Sequence, residues 1–245
     1  MPLFGALDLA EVAARLPTLR DLDTEAWTLP QAEILQLAWE VNDDTQVLLP
    51  KAMHPAIPPY ATIVVTRYPE SPVGMFALAQ LRLMGRAGAH PRGYVLGAVA
   101  STTAAASALR ERWGFPVEVG DVTLVRYHDR VIARVRLDGE PVLEAALVDP
   151  EPIAGGDVQY IHTVTLAAVD GQPQLVQVDP HYTVHKAERG RPRLERLTTP
   201  RWHASGLGFT TPIAATVTTC DTDFPRIRFV MDPEIPVVRG TRRIR

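Results

Sequence analysis

The chain has 245 residues, 46% hydrophobic and 22% charged, with a formal net charge of −3. That is enough apolar material for a sizeable core, and the charge balance gives no footprint for nucleic acid or for an anionic membrane surface. No apolar run reaches the roughly 18–20 residues a membrane span needs, and a single cysteine, Cys220, excludes an intrachain disulfide and suits a reducing compartment.

The stretch Met1 to Leu16 carries Asp8 and Glu11 and has no basic leader. It makes a poor signal peptide, so a cytoplasmic location is expected. Asp8 suits the N-cap of a short amphipathic helix ending before Pro17, with Leu9, Val12, Ala13 and Leu16 on one face. Residues 17–31 read as an irregular arm. From Glu33 the pattern turns to period two, placing Leu35, Leu37, Trp39 and Val41 on one side of a strand. Further strands are expected at 60–67, 76–84, 93–100, 121–127, 130–137, 141–147, 157–167, 174–178, 211–219 and 226–231. One segment breaks the rhythm. Thr102 to Arg112 is alanine-rich and predicts a helix, with Ser101 as N-cap and Gly114 and Pro116 ending it. No repeat or linker divides the chain. The expectation is one domain over 1–245, with 1–30 as N-terminal helix and arm. Its fold would be mainly β (α+β): a curved antiparallel sheet or closed barrel with one central helix.

The run Arg110-Glu111-Arg112-Trp113-Gly114-Phe115-Pro116 resembles the signature of the acetoacetate decarboxylase superfamily, in which an alanine-rich helix enters an Arg-Glu-x-Trp-Gly-Phe-Pro turn. Pro50 to Pro55, Gly93-Tyr94, Asp149 to Pro152 and Pro236 to Ile244 resemble other family pieces, in order. The resemblance covers roughly residues 30–245. It implies a double-psi, cone-shaped antiparallel β-barrel around a small apolar pocket, in a homo-oligomer; no metal and no cofactor are expected. It also implies a lysine that forms a Schiff base with a β-keto acid just after the turn. Desolvation and a neighbouring cation keep such an amine neutral.

Here the two positions after Pro116 are Val117 and Glu118. Valine has no nucleophile. Of 25 basic residues only Lys51 and Lys186 are lysines, leaving 25 − 2 = 23 arginines, and arginine does not give up its proton. Lys51 sits in the Pro-rich turn and Lys186 in a densely polar stretch, and both read as surface residues. The resemblance places the family's arginine near Gln31, one glutamate near Thr62 or Ile63, and the other at Gln80 or Leu78.

Strand 76–84 alternates Phe76, Leu78, Gln80, Arg82 and Met84 against Ala77, Ala79, Leu81 and Leu83. With Gln80 inward, Arg82 follows and the pair could hold a carboxylate or carbonyl. The alternative turns the alanine–leucine face inward and leaves both in solvent. Glu118 would serve as general acid or base if buried beside Trp113 and Phe115, and is otherwise an exposed residue. The expected site is thus catalytic Glu118 and Gln80, with Gln31, Arg82, Tyr94, Trp113, Phe115 and Val117 around a small-molecule ligand; Tyr94 and Tyr160 also read as packing residues.

His181 and His185 have helical metal spacing, but on a strand they stand about 13 Å apart, too far to share an ion. The basic tail Arg239 to Arg245 reads as a segment docking on a neighbouring subunit. Two functions remain open: a lysine-independent lyase- or hydratase-type enzyme acting on a small carbonyl or carboxylate compound, and a non-catalytic binder of a small hydrophobic ligand. Decarboxylation through Lys51 or Lys186 is a third.

Overall fold

Period-two alternation sends most of the chain into strands, 56% of it against 13% helix. The computed structural model describes residues 4–244. Met1 to Leu3 of the N-terminal stretch and Arg245 of the basic tail lie outside the described residues.

Before the long helix come β1 (Trp27–Val41), β2 (His54–Pro55), β3 (Tyr60–Tyr68), β4 (Phe76–Ala87) and β5 (His90–Ala100). After it come β6 (Val117–Val119), β7 (Asp121–Arg126), β8 (Arg130–Leu137), β9 (Glu140–Ile153), β10 (Thr163–Val169) and β11 (Gln172–Val178). The chain closes with β12 (His181–Leu197), β13 (Phe209–Phe224), β14 (Phe229–Met231) and β15 (Thr241–Arg243). The α-helices are α1 (Leu9–Val12), α2 (Thr103–Trp113) and α3 (Val237–Gly240).

All fifteen strands join one sheet in the order β15-β14-β11-β10-β5-β4-β3-β1-β13-β12-β9-β8-β7, with β2 added to β4 and β6 to β5. Its hydrogen-bonded path is open, so the sheet differs from the closed barrel expected from the sequence. It is also not wholly antiparallel, since β5 pairs in parallel with β6 and β10. Side chains tie back the β7 end: Arg126, closing β7, forms an ion pair with Glu33 on β1 at 3.9 Å and another with Glu188 on β12.

The central strands are buried on both faces. On one face Leu35, Leu37, Ile63, Leu81 and Leu83 pack with Val131, Val135 and Leu147 of β8 and β9. On the other, Ile34, Val64, Leu78, Ala98 and Val117 pack with Ala105, Leu109 and Trp113 of α2. At about 25 cal/mol per Å² such layers supply the main drive to fold.

α2 starts one residue later than its expected cap. The Thr102 hydroxyl accepts from Ala105 N at 3.2 Å, while Ser101 Oγ accepts from Ala77 N on β4 at 2.8 Å. Gly114 ends the helix at φ +65°, where a Cβ would meet Ala167 Cβ and Leu19 Cδ1 at 2.6 Å. The N-terminal helix is only α1 plus a 3-10 turn at Ala13–Arg15, with Asp8 Oδ1 capping Ala10 N at 2.9 Å. The largest departure is β12, seventeen residues long, for which the sequence offered only strand-like spacing near His181 and His185.

Candidate functional site

Pairing register fixes which residues share the α2-facing side of the sheet. Val64 of β3 pairs with Gln80 of β4, Gln80 with Ala98 of β5, and Ala98 with Val117 of β6. Leu78, Gln80 and Arg82 therefore all face this side, and Gln80 and Arg82 are buried, at 2% and 5% exposure. Arg82 donates from Nε to Gln80 Oε1 at 2.9 Å and also to the Tyr182 hydroxyl of β12.

Four further groups converge there. The Tyr160 ring lies 4.3 Å from that of Tyr182, and its hydroxyl touches Thr218 Oγ1 of β13. Cys220 of β13 is buried, with Sγ 3.6 Å from Thr222 Oγ1. Tyr68 of β3 is buried in the same apolar layer as Cys220 and Val117.

The electrostatics have one dominant cause. Burial pulls the Arg82 guanidinium below its ordinary value, while Tyr182 and Tyr68 pull it back up. Burial likewise raises the phenols of Tyr68, Tyr160 and Tyr182 and the Cys220 thiol. At neutral pH the site is a desolvated cation ringed by neutral hydrogen-bond donors. No carboxylate among the described residues forms an ion pair with Arg82. Chemically, such a group is able to pair with an anion and to donate hydrogen bonds to a carbonyl or enolate oxygen.

The whole arrangement, alanine-rich helix, Trp-Gly-Phe-Pro turn and inner row of β3 to β6, is matched by a family model. The model for acetoacetate decarboxylase covers residues 16–232. The chain belongs to the acetoacetate decarboxylase family.

Solved structures of that fold are similar to it over most of its length. One, from structural studies of acetoacetate decarboxylase, is 15% identical, covers 82% of this chain and 87% of its own, and has a TM-score of 0.74. The acetoacetate decarboxylase of Legionella pneumophila is 18% identical, covering 93% and 97%, with a TM-score of 0.73. The enduracididine biosynthesis enzyme MppR, complexed with pyruvate, is 12% identical, covering 83% and 88%, with a TM-score of 0.67. No curated protein sequence matches.

Within this acetoacetate decarboxylase fold the expected residues divide. Val117, Trp113 and Phe115 lie in the α2-facing layer with Gln80 and Arg82. Trp113 is held there by Nε1 donating to Pro225 O at 2.9 Å and by edge contact with Trp27 at 5.1 Å. Glu118 is not brought to the group. It pairs with Val99, which packs in the opposite layer, and its side chain is 45% exposed beside His203 Nε2 at 3.8 Å.

Gln31 is exposed in a bulge of β1 at φ +53°, its backbone N–H donating to Asp221 Oδ1 at 2.9 Å. Tyr94 also lies in the opposite layer. The register of β4 against β5 slips between Leu81 and Arg82, skipping Leu96, and that bulge reverses the alternation running back from Ala98.

Both lysines are at the surface. Lys51 Nζ meets Glu234 at 2.6 Å and Lys186 Nζ meets Glu188 at 3.3 Å. Among the described residues no cluster of three or more His, Cys, Asp or Glu could hold a metal ion, and no helix is long and apolar enough to cross a membrane. A cavity of about 660 Å³ opens between the N-terminal arm and the C-terminal residues. None of the expected site residues lines it, and three of its charges are already paired, Arg226 with Asp23 at 3.5 Å and Asp179 with Arg92 at 3.6 Å.

Proposed function

We propose that this protein binds a small carboxylate-bearing carbonyl compound against Arg82, without Schiff-base decarboxylation. The observation that carries the reading is a fully desolvated guanidinium with no carboxylate partner among the described residues. A buried cation costs several kcal/mol unless it is paired, and a ligand carboxylate would supply the pair. Gln80 holds the guanidinium by its Nε, leaving the remaining N–H groups for Tyr182 and the ligand. Tyr160 and Tyr182, both neutral, would donate to the carbonyl oxygen. MppR, which shares the fold, is complexed with pyruvate, so a 2-oxo acid is the natural first probe.

If the ligand is turned over, the reaction is of lyase or hydratase type with a phenol as proton donor. Glu118, half exposed beside His203, is left out of this reading. Non-catalytic binding is the second reading, and one observation favours it: the titratable neighbours acting on Arg82 are tyrosines, with no carboxylate or imidazole to act as base.

Calorimetric titration tests the claim. The wild-type protein should bind pyruvate and lose at least tenfold in affinity for its neutral methyl ester. Arg82→Gln should lose a similar factor for the acid, with circular dichroism reporting whether the variant folds. Equal binding of acid and ester would overturn the proposal, whatever the variant does.

A further inference from the structure

The α2-facing side of the sheet does not stop at Arg82. Gln80 pairs with Val64, Val64 with Gln36 of β1, Gln36 with Thr216 of β13, and Thr216 with Arg189 of β12. The same surface therefore continues outward into an open groove of about 690 Å³. Its lining includes Arg189, Arg191 and Arg193, with Asp157 as the one acid. Arg191 is occupied by Asp149, whereas Arg189 and Arg193 form no ion pair among the described residues. In the groove wall the Thr216 hydroxyl is buried and has no hydrogen-bond partner among the described residues.

The connection between Gly155 and His162 lies over the boundary of the two regions. Gln36 Nε2 donates to Gln159 O at 3.1 Å on the groove side, and the next residue, Tyr160, puts its hydroxyl on Thr218 beside the Arg82 group. Two consecutive residues, Gln159 and Tyr160, thus each contact one of the two regions.

We infer that this groove is a second anion subsite of the same binding site, and that the ligand class is an elongated diacid. One acid group would sit against Arg82 and the other against Arg189 and Arg193, with the chain passing beneath Tyr160. Four strand steps separate Arg189 from Gln80, on the order of 19 Å along the sheet. The curl of the sheet and the reach of the arginine side chains shorten the span to be bridged. The inference rests on the Arg82 reading for its inner end only.

The test uses the folded protein and two ligand series, the α,ω-diacids from succinate to dodecanedioate and the monoacids of equal length. Affinity for diacids should rise with length and exceed that of the matched monoacid by about tenfold at the best length, a factor of the size that solvent-screened charge-assisted contacts supply. The exposed double variant Arg189→Ala/Arg193→Ala should erase that increment and leave monoacid binding unchanged. An increment that survives the double variant, or no increment at any length while monoacids still bind, overturns the second subsite alone. Failure of every monoacid and diacid to bind overturns the Arg82 reading and this one together.

Discussion

Val117 and Gln80 occupy one cross-strand row, joined through Ala98. Their Cα atoms are about 10 Å apart by strand spacing, and both side chains point to the layer beneath α2. An amine at Val117 would therefore be desolvated and face the Arg82 group, the two conditions that lower a lysine's pKa. Wild-type protein incubated with acetoacetate and borohydride should gain no mass, and Val117→Lys should gain one covalent adduct. A wild-type adduct would return Schiff-base chemistry to this chain.

Much of this site is visible in the sequence because strand alternation is local. Leu78, Gln80 and Arg82 sit two apart in one strand-forming run, so one inward residue orients all three, and the helix with its Gly114 stop is equally local. What is not legible depends on irregularity or on distance. Nothing in Gly93 to Ala100 announces the bulge that skips Leu96 and turns Tyr94 away. The φ of +53° that exposes Gln31 has no sequence signal either. Tyr68, Tyr160, Tyr182 and Cys220 converge from four separate segments. β12, which carries Tyr182, is partly exposed along most of its length, so it lacks the apolar period that marks the other strands.

The open sheet makes a stability prediction. Arg126 carries the ion pairs between the β7 end and β1 and β12, and the side chains of Glu33 and Glu188 are only 13% and 10% exposed. Removing it leaves two nearly buried carboxylates with one cation each, Arg67 at 3.4 Å and Lys186 at 3.3 Å. Stranding a fully buried charge costs roughly 3–5 kcal/mol. Because Arg126 is itself 32% exposed, Arg126→Met should cost less, about 1–3 kcal/mol by urea denaturation. Adding Glu188→Gln should recover part of the loss, and an additive double variant would show that the pair is not coupled.

Gly114 and Gly139 separate backbone strain from packing. Both have positive φ, +65° and +81°, but a Cβ at Gly139 meets nothing within 4 Å. Gly139→Ala should cost only the left-handed backbone term, about 1–2 kcal/mol. Gly114→Ala should add overlap with Ala167 and Leu19, roughly 1–3 kcal/mol more. Similar melting temperatures for the two variants would mean that the helix end shifts freely.

His203 gives the pH dependence a direction. Burial lowers its pKa, and the charges of Arg15 and Arg201 lower it further. The unfolded chain then binds its proton first, so the stability contributed is complete above about pH 6.5. It is lost as pH falls from there through the folded value. His203 sits at φ +55°, a conformation asparagine tolerates, so His203→Asn should fold and flatten the stability profile below pH 6.5. Wild-type and variant profiles of the same slope in that window would remove His203 from the acid response.

Cys220 reports on the site without any substitution, because it is the chain's one cysteine. Burial raises its pKa, and only the thiolate reacts with disulfide reagents. In native protein at pH 8 it should label at least a hundredfold more slowly than in urea, since labelling must wait for the layer beneath α2 to open. A carboxylate bound at Arg82 stabilises the closed form by mass action, so pyruvate should slow labelling further as its concentration rises. Methyl pyruvate should not. Fast native labelling would mean that water already reaches Cys220, and the desolvation that makes an unpaired Arg82 costly would then be absent.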